Sequence, residues 1–198
     1  VEGYWANGTL TDSLGNSVTG EFKDQRLYNG SGVRVLPDKN IFEGTWVQGK
    51  WEGKGKLTYN NGSSVEGEFK DNRIYNGSGT VILANGTTFH GTYKEGKLTQ
   101  GTKTCPDGTN LTGTFKDNNI FTGTGTQYYT NGDSYTGAWK GGLPHGEGKF
   151  VCHTPQGVQT LEGTFHQGKL HSGVGTKTLQ NGDLYSEVFD HGEPTLRY

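Results

Sequence analysis

The chain has 198 residues, a formal net charge of −2 and its lysines and arginines scattered singly, which excludes the clustered basic footprint of a nucleic-acid binder and leaves an anionic membrane little to attract. Only 29% of residues are hydrophobic while 35 are glycine, so no thick globular core is expected, and the 12% of aromatic residues argue against simple disorder. No apolar run approaches the roughly 18 residues that cross a bilayer and no signal-peptide pattern opens the chain, so it reads as soluble, with Val1 fitting a piece of a longer frame.

A five-residue cassette, apolar–x–Gly–x–aromatic, then recurs along the chain. Its eight copies are Val18–Phe22, Phe42–Trp46, Val65–Phe69, Phe89–Tyr93, Leu111–Phe115, Tyr135–Trp139, Leu161–Phe165 and Tyr185–Phe189, with Glu187 in place of glycine in the last. Successive copies start 22 to 26 residues apart, a period that marks stacked supersecondary units, each unable to bury its apolar face alone. A short degenerate stretch, Gly3 to Asn16, precedes them as a terminal repeat would. The expected organisation is one elongated repeat domain over residues 1–198, with units starting near 3, 18, 42, 65, 89, 111, 135 and 161 and a degenerate cap over 185–198.

Each unit reads as a β-hairpin. In the third, Val65, Gly67 and Phe69 alternate with Glu66, Glu68 and Lys70; a loop Asp71–Asn76 follows, then a second strand Gly77–Leu83 and a return turn Ala84–Gly86. The position four after the last glycine is apolar in every unit: Leu36, Tyr59, Leu83, Cys105, Tyr129, Cys152 and Leu179. One sheet face is therefore apolar throughout. The return turns Pro37–Asn40, Asn60–Gly62, Ala84–Gly86, Pro106–Gly108, Thr130–Gly132 and Gln180–Gly182 all supply residues tolerant of positive φ. A longer loop, Thr154–Gln159, accounts for the 26-residue step in the sixth unit. In the last unit, Glu187 on the inward face and Pro194 discourage further strand pairing. Helical periodicity is absent.

A mid-strand glycine between inward apolar residues predicts a ring from an adjacent strand lying over the bare backbone. On that reading Gly67→Val displaces a ring and destabilises, while the outward Glu68→Val is nearly neutral. A two-unit rhythm overlies the repeat. The odd units pair an aliphatic with Phe, and the even units pair two aromatics: Phe42/Trp46, Phe89/Tyr93, Tyr135/Trp139 and Tyr185/Phe189. The aromatic-to-glycine interval is ten in the odd units and eight or nine in the even. Alternating bulky and slim rungs is one account; the other is a stripe of amphipathic rings that grips an extended or helical partner.

Chemistry-bearing groups are not gathered by the repeat. Asp24, Asp71 and Asp117 recur at one loop position but two units apart, far beyond the roughly 5–10 Å of paired catalytic carboxylates. The histidines at 90, 145, 153, 166, 171 and 191 show no metal-ligand spacing, and His145 reads as structural. Glycine-rich strings such as Gly123–Gly125 are followed by neither a helix nor G-K-[ST], so no phosphate loop is expected. No nucleophile elbow accompanies the many Ser and Thr residues. The expectation is a non-enzyme with no cofactor and no metal. Cys105 and Cys152 occupy the same position in units separated by one intervening unit, about 19 Å apart at two strands per unit, too far for a disulfide. Sequons at Asn7, Asn29, Asn61, Asn76, Asn85 and Asn110 would argue for secretion, but all except Asn110 are Asn-Gly pairs that turns use anyway. A cytoplasmic setting is expected.

The cassettes resemble the MORN (membrane occupation and recognition nexus) repeat family, Y-x-G-x-W/F-x-x-G-K-x-x-G-x-G followed by a D/N-G turn. The best match is Tyr135–Gly148, YTGAWKGGLPHGEG, followed by Phe42–Gly55, FEGTWVQGKWEGKG, and the resemblance runs from about Gly3 to Phe189. Departures are Thr99 where the first loop glycine is expected, and K-D-N-R or K-D-N-N in place of x-x-G-K. The resemblance implies an all-β fold: a single-layer, twisted antiparallel sheet of about eight stacked hairpins, curved like a gutter, an open array with the cassette aromatics on its concave side. It implies scaffolding, peptide or coiled-helix binding, or association with membrane lipid, and links to the cytoskeleton or membranes. Members also occur fused to kinases or methyltransferases. The expected function is a non-catalytic scaffold that holds a protein or peptide segment, helical ones included, in a groove of Phe42, Trp46, Tyr59, Phe89, Tyr93, Tyr129, Tyr135 and Trp139. The alternatives are a phospholipid-associating module and the recognition region of a larger enzyme; pairing with a second copy stays open.

Overall fold

The computed structural model describes residues 4–197, so the expected start of the first repeat at Gly3 lies outside the described residues. Every regular element among the described residues is a β-strand. In chain order they are β1 Trp5–Thr11, β2 Ser17–Lys23, β3 Arg26–Val35, β4 Ile41–Val47, β5 Lys50–Thr58, β6 Ser64–Lys70, β7 Arg73–Ile82, β8 Thr88–Lys94 and β9 Lys97–Thr104. They continue as β10 Asn110–Lys116, β11 Asn119–Tyr128, β12 Ser134–Lys140, β13 Leu143–Thr154, β14 Gly157–His166, β15 Lys169–Leu179, β16 Leu184–Asp190 and β17 Glu193–Arg197. All seventeen belong to one open antiparallel sheet. Contacts divide the chain into two compact units: the described residues to Val81 with His90–Thr99, and Ile82–Phe89 with the described residues from Gln100.

Within each unit, strands pair with their chain neighbours in a register built on glycine. The cassette glycine faces a second glycine in six hairpins: Gly20 and Gly30, Gly44 and Gly55, Gly67 and Gly77, Gly113 and Gly123, Gly137 and Gly148, Gly163 and Gly173. Gly79, the last glycine of the third unit, instead faces Val65. The longer interval of the odd units thus adds a stretch of strand and leaves the glycine pair in place.

The hairpin ends differ from one another. At one end, two consecutive residues take positive φ, as in a two-residue type I′ turn: Asp71 and Asn72 in the third unit, Asp117 and Asn118 in the fifth, Gln48 and Gly49 in the second. Asp and Asn tolerate the left-handed region, so K-D-N-R performs the task of x-x-G-K. The predicted six-residue loop Asp71–Asn76 is therefore corrected to a two-residue turn, because Arg73 already pairs with Lys70. One residue is squeezed out as a bulge in each odd hairpin: Tyr28, Tyr75, Phe121 and His171. The predicted Thr154–Gln159 loop is corrected likewise. Thr154 pairs with Gly157 and Cys152 with Gln159, so longer strands rather than a longer loop fill the 26-residue step.

At the other end, only the third turn residue is left-handed (Lys39, Gly62, Gly86, Gly108, Gly132, Gly182). The preceding Asn or Asp side chain accepts the amide two residues on, at 3.1 Å in Asp38–Asn40, 3.0 Å in Asn61–Ser63 and 2.8 Å in Asp107–Thr109. This is the Asx turn, and it explains the Asn-Gly pairs at the return turns. Neighbouring repeats are stitched end to end by the same chemistry. Asn40 Oδ1 accepts the Asn60 amide at 3.0 Å, and Asp133 Oδ1 accepts the His153 amide at 2.8 Å.

Candidate interaction face

The cassette residues pack against their own sheet face. Phe42 and Tyr135, the first aromatics of two even units, are both 0% exposed. Each meets the Trp of its own cassette edge-on, Phe42 to Trp46 and Tyr135 to Trp139 both at 5.0 Å. Each also meets the Phe of the next odd unit edge-on, Phe69 at 5.1 Å and Phe165 at 5.2 Å. The T-shaped geometry puts ring edges against ring faces, the favoured aromatic arrangement. Phe42 is further stacked on Trp51 at 4.2 Å. These rings lie over the glycine pairs: a Cβ on Gly55 would come within 2.8 Å of the Phe42 ring, and one on Gly148 would collide with Tyr135.

The odd units close up differently, which corrects one expectation. A Cβ on Gly67 would strike the backbone of Asn76 and Gly77, with no ring involved. Its φ of +149° is accessible to glycine and strained for other residues. Gly67→Val is still expected to destabilise, but through backbone collision. The odd Phe packs beside an apolar residue that patterning alone did not single out: Leu27, Ile74, Ile120 and Leu170 are all buried.

Of the eight residues expected to line a groove, Phe42, Trp46 and Tyr93 are buried in the first unit, and Phe89, Tyr135 and Trp139 in the second. They are brought onto the packed face as the alternation predicts, yet present almost no surface. Tyr59 is half-buried and Tyr129 is 39% exposed. Burial holds the Tyr93 phenol well above its ordinary pKa, with the Tyr59 phenol adding to the effect. Burial raises Tyr129 too, followed by the nearby Asp133 carboxylate. Tyr135 moves in the same direction for the same first cause, and its hydroxyl donates to the Ala138 carbonyl at 3.0 Å.

Around Tyr129 the second unit does present an aromatic surface. Tyr128 is 42% exposed, and Tyr129 lies 6.3 Å from Phe150; with Thr130, Asn131 and Asp133 these line an open groove at the return-turn end. Tyr128 and Phe150 were not expected there. The signal available for them was the Tyr128–Tyr129 doublet just before an Asn-Gly turn, where a strand gives up its alternation.

Other singled-out groups fall at the hairpin ends. Asp24, Asp71 and Asp117 are each the first left-handed residue of a type I′ turn. The exposed Asp71 carboxyl is held below its ordinary pKa by the hydrogen bond from Lys50. Cys105 and Cys152 are both free and half-buried. The structure does gather histidines that sequence spacing kept apart: the rings of His145 and His166, His166 and His171, and His171 and His191 follow at 5.4, 6.3 and 5.0 Å. Among the described residues, no group of three or more His, Cys, Asp or Glu is arranged to hold a metal ion. No helix among them is long and apolar enough to cross a membrane.

Strand, type I′ turn, strand and Asx turn make one repeat, and the family model of the MORN repeat matches it at residues 42–64, 112–134, 135–154 and 162–184. Four segments of the chain match the MORN repeat. Each matched MORN segment begins at a cassette or one residue into it and ends at or near the following return turn. No curated protein matches the chain. Among solved structures, it is similar to the G-box domain of the microcephaly protein CPAP, at 14% identity over 92% of this chain and 98% of that one. The TM-score is 0.28.

Proposed function

We propose that this MORN-repeat chain is a non-catalytic scaffold that binds a protein segment. The observation that carries the reading is the open aromatic groove of Tyr128, Tyr129 and Phe150 on a framework whose cassette rings from Phe42 to Phe165 are buried by internal packing. Tyr is well suited to such a role, because it joins a flat apolar area with a polar tip at small conformational cost. Of the groove residues expected from sequence, Tyr129 belongs to this surface. The buried rings support it from beneath by fixing the strands that present it.

Selection from a displayed peptide library on the immobilised chain tests the reading. Peptides enriched by the wild type should bind Tyr129→Ser/Phe150→Ser at least about tenfold more weakly, a loss of about 1.4 kcal/mol. Trp139→Phe, which alters only the buried layer, should bind them normally. Flotation with anionic vesicles across a salt series should show no association. Vesicle binding without peptide enrichment would overturn the proposal in favour of a lipid-associating module.

A further inference from the structure

The return turns of the second compact unit carry charge of one sign. The segments 105–109, 127–134, 150–159 and 179–184 contain Asp107, Asp133 and Asp183 and no lysine or arginine. These turns adjoin one another. A Cβ on Gly108 would come within 3.1 Å of the Tyr128 ring, Asp133 accepts the His153 amide, and Gln180 Nε2 donates to the Pro155 carbonyl at 2.8 Å. The lysines of the adjoining strands are engaged by other groups: Lys177 donates to Gln156 Oε1 at 3.2 Å, Lys149 pairs with Glu162 at 3.2 Å, and Lys103 lies over the Phe89 ring.

Asp133 brings that charge to the aromatic groove, which it lines together with Tyr128, Tyr129 and Phe150. Its position is fixed: Oδ1 accepts the His153 amide at 2.8 Å and Oδ2 accepts from Asn131 Nδ2 at 2.7 Å. The carboxylate is felt at Tyr129, whose phenol is raised first by burial and then by Asp133. A carboxylate held in this way gives up little freedom when a cation approaches, and the faces of Tyr and Phe rings attract cations as well. His153 is the other titratable group beside Asp133, its Nδ1 standing 3.8 Å from Asp133 Oδ1.

We propose that the groove of Tyr128, Tyr129 and Phe150 selects a basic protein segment and seats an arginine side chain from it beside Asp133. The proposal rests on reading this groove as a protein-binding surface and adds the chemistry of the partner. Tyr129 and Phe150 have centroids 6.3 Å apart, whereas a planar group between two rings needs about 7 Å, so the guanidinium lies across the open ring faces rather than between them. Arginine suits the place better than lysine, because its guanidinium is flat, weakly hydrated and able to stack on a ring while donating to a carboxylate. Asp107 and Asp183 on the neighbouring turns add attraction at longer range. An acidic segment would meet like charge at each of these turns.

The test reads the composition of peptides selected from a random displayed library on the immobilised chain. Those whose capture is lost in Tyr129→Ser/Phe150→Ser should be rich in arginine relative to the unselected library. The tightest of them, resynthesised with citrulline in place of arginine, keeps its shape and loses its charge; it should bind at least about tenfold more weakly. Asp107→Asn/Asp133→Asn should weaken the arginine peptide by a similar factor and leave the citrulline peptide unaffected. Circular dichroism and melting should not change in that variant. Asn61 and Asn85 hold the same Asx turn as Asp107, and Asn40 accepts the Asn60 amide as Asp133 accepts that of His153. Should the variant nevertheless lose stability, the citrulline comparison on the wild-type chain decides alone. Selected peptides without an arginine excess, or equal binding of the citrulline peptide, overturn the proposal and leave the protein-binding reading standing; a library that yields no enriched peptide overturns both.

Discussion

In the hairpin β4–β5 a ring covers the central glycine pair, whereas in β6–β7 the two backbones close directly on each other. A Cβ on Gly55 would press into Phe42; one on Gly67 would press into the Asn76 carbonyl and Gly77. The two hairpins share a cassette, a type I′ turn and a Gly–Gly register. They differ in the residue at the cassette's first position, Phe42 against Val65. A large first residue must lie flat across the strand pair and needs two bare backbones beneath it. A slim first residue leaves that space for the neighbouring unit's ring, as Phe69 receives Phe42 edge-on. Bulky and slim rungs are thus two halves of one packing unit, which is why the true period is a pair of hairpins.

The comparison can be broken at several points. The largest effect is expected at Gly67→Val, where the obstacle is backbone in a left-handed conformation: a loss of more than about 4 kcal/mol, or no cooperative melting at all. Glu68→Val, outward and exposed, should stay within about 0.5 kcal/mol in denaturant unfolding. Comparable losses at the two sites would refute the face assignment. Next comes Phe42→Ala, which removes a fully buried ring shared by three aromatic partners and should lower stability by about 3–5 kcal/mol.

Gly148→Ala sharpens the contrast, because there the obstacle is the Tyr135 ring. Alone it should cost about 2 kcal/mol. In a Tyr135→Val background the same change should be close to neutral, a coupling that a double-mutant cycle reads directly. Purely additive losses would mean that the ring is not what the glycine accommodates. No ring deletion should rescue Gly67→Ala.

A smaller effect separates even from odd units by pH, since only the even cassettes carry phenols. Burial keeps Tyr93 protonated above its ordinary pKa in the folded chain, while the unfolded chain ionises near 10. The stabilisation is therefore complete below about pH 10 and declines as pH rises beyond it, because the unfolded state then binds fewer protons. Melting temperatures measured from pH 8 to 12 should fall less steeply in Tyr93→Phe. A modest loss is expected from Asn76→Ala. Asn76 Oδ1 accepts the Glu95 amide at 3.0 Å, tying the bulged strand to the next turn, and its loss should cost about 1 kcal/mol.

Much of this was legible in the residues, and the places where it was not have a common cause. Alternation in S64-V-E-G-E-F-K70 fixes which side chains share a face, because strand geometry has a period of two regardless of context. The Asn-Gly and Asp-Gly pairs fix where the chain reverses, because few other residues take the left-handed conformation cheaply. Asp71–Asn76 and Thr154–Gln159 have the composition of loops because polar residues and glycines look alike in a turn and in a bulged strand. Pairing with the neighbour decides between them, and no local pattern carries that information. The candidate face was legible only in part. The sequence placed Phe42, Trp46, Tyr135 and Trp139 on one side, but burial depends on what the adjacent hairpin lays across them.

By itself, then, the sequence determined the repeat, the hairpins, their inward side and the two-hairpin period, all of which follow from local backbone preference and side-chain size. Only the tertiary structure decided which inward residues remain open. Exposure is a property of neighbouring strands: Phe42 and Tyr135 vanish beneath rings of the next unit, while Tyr129 stays in solvent at a strand end.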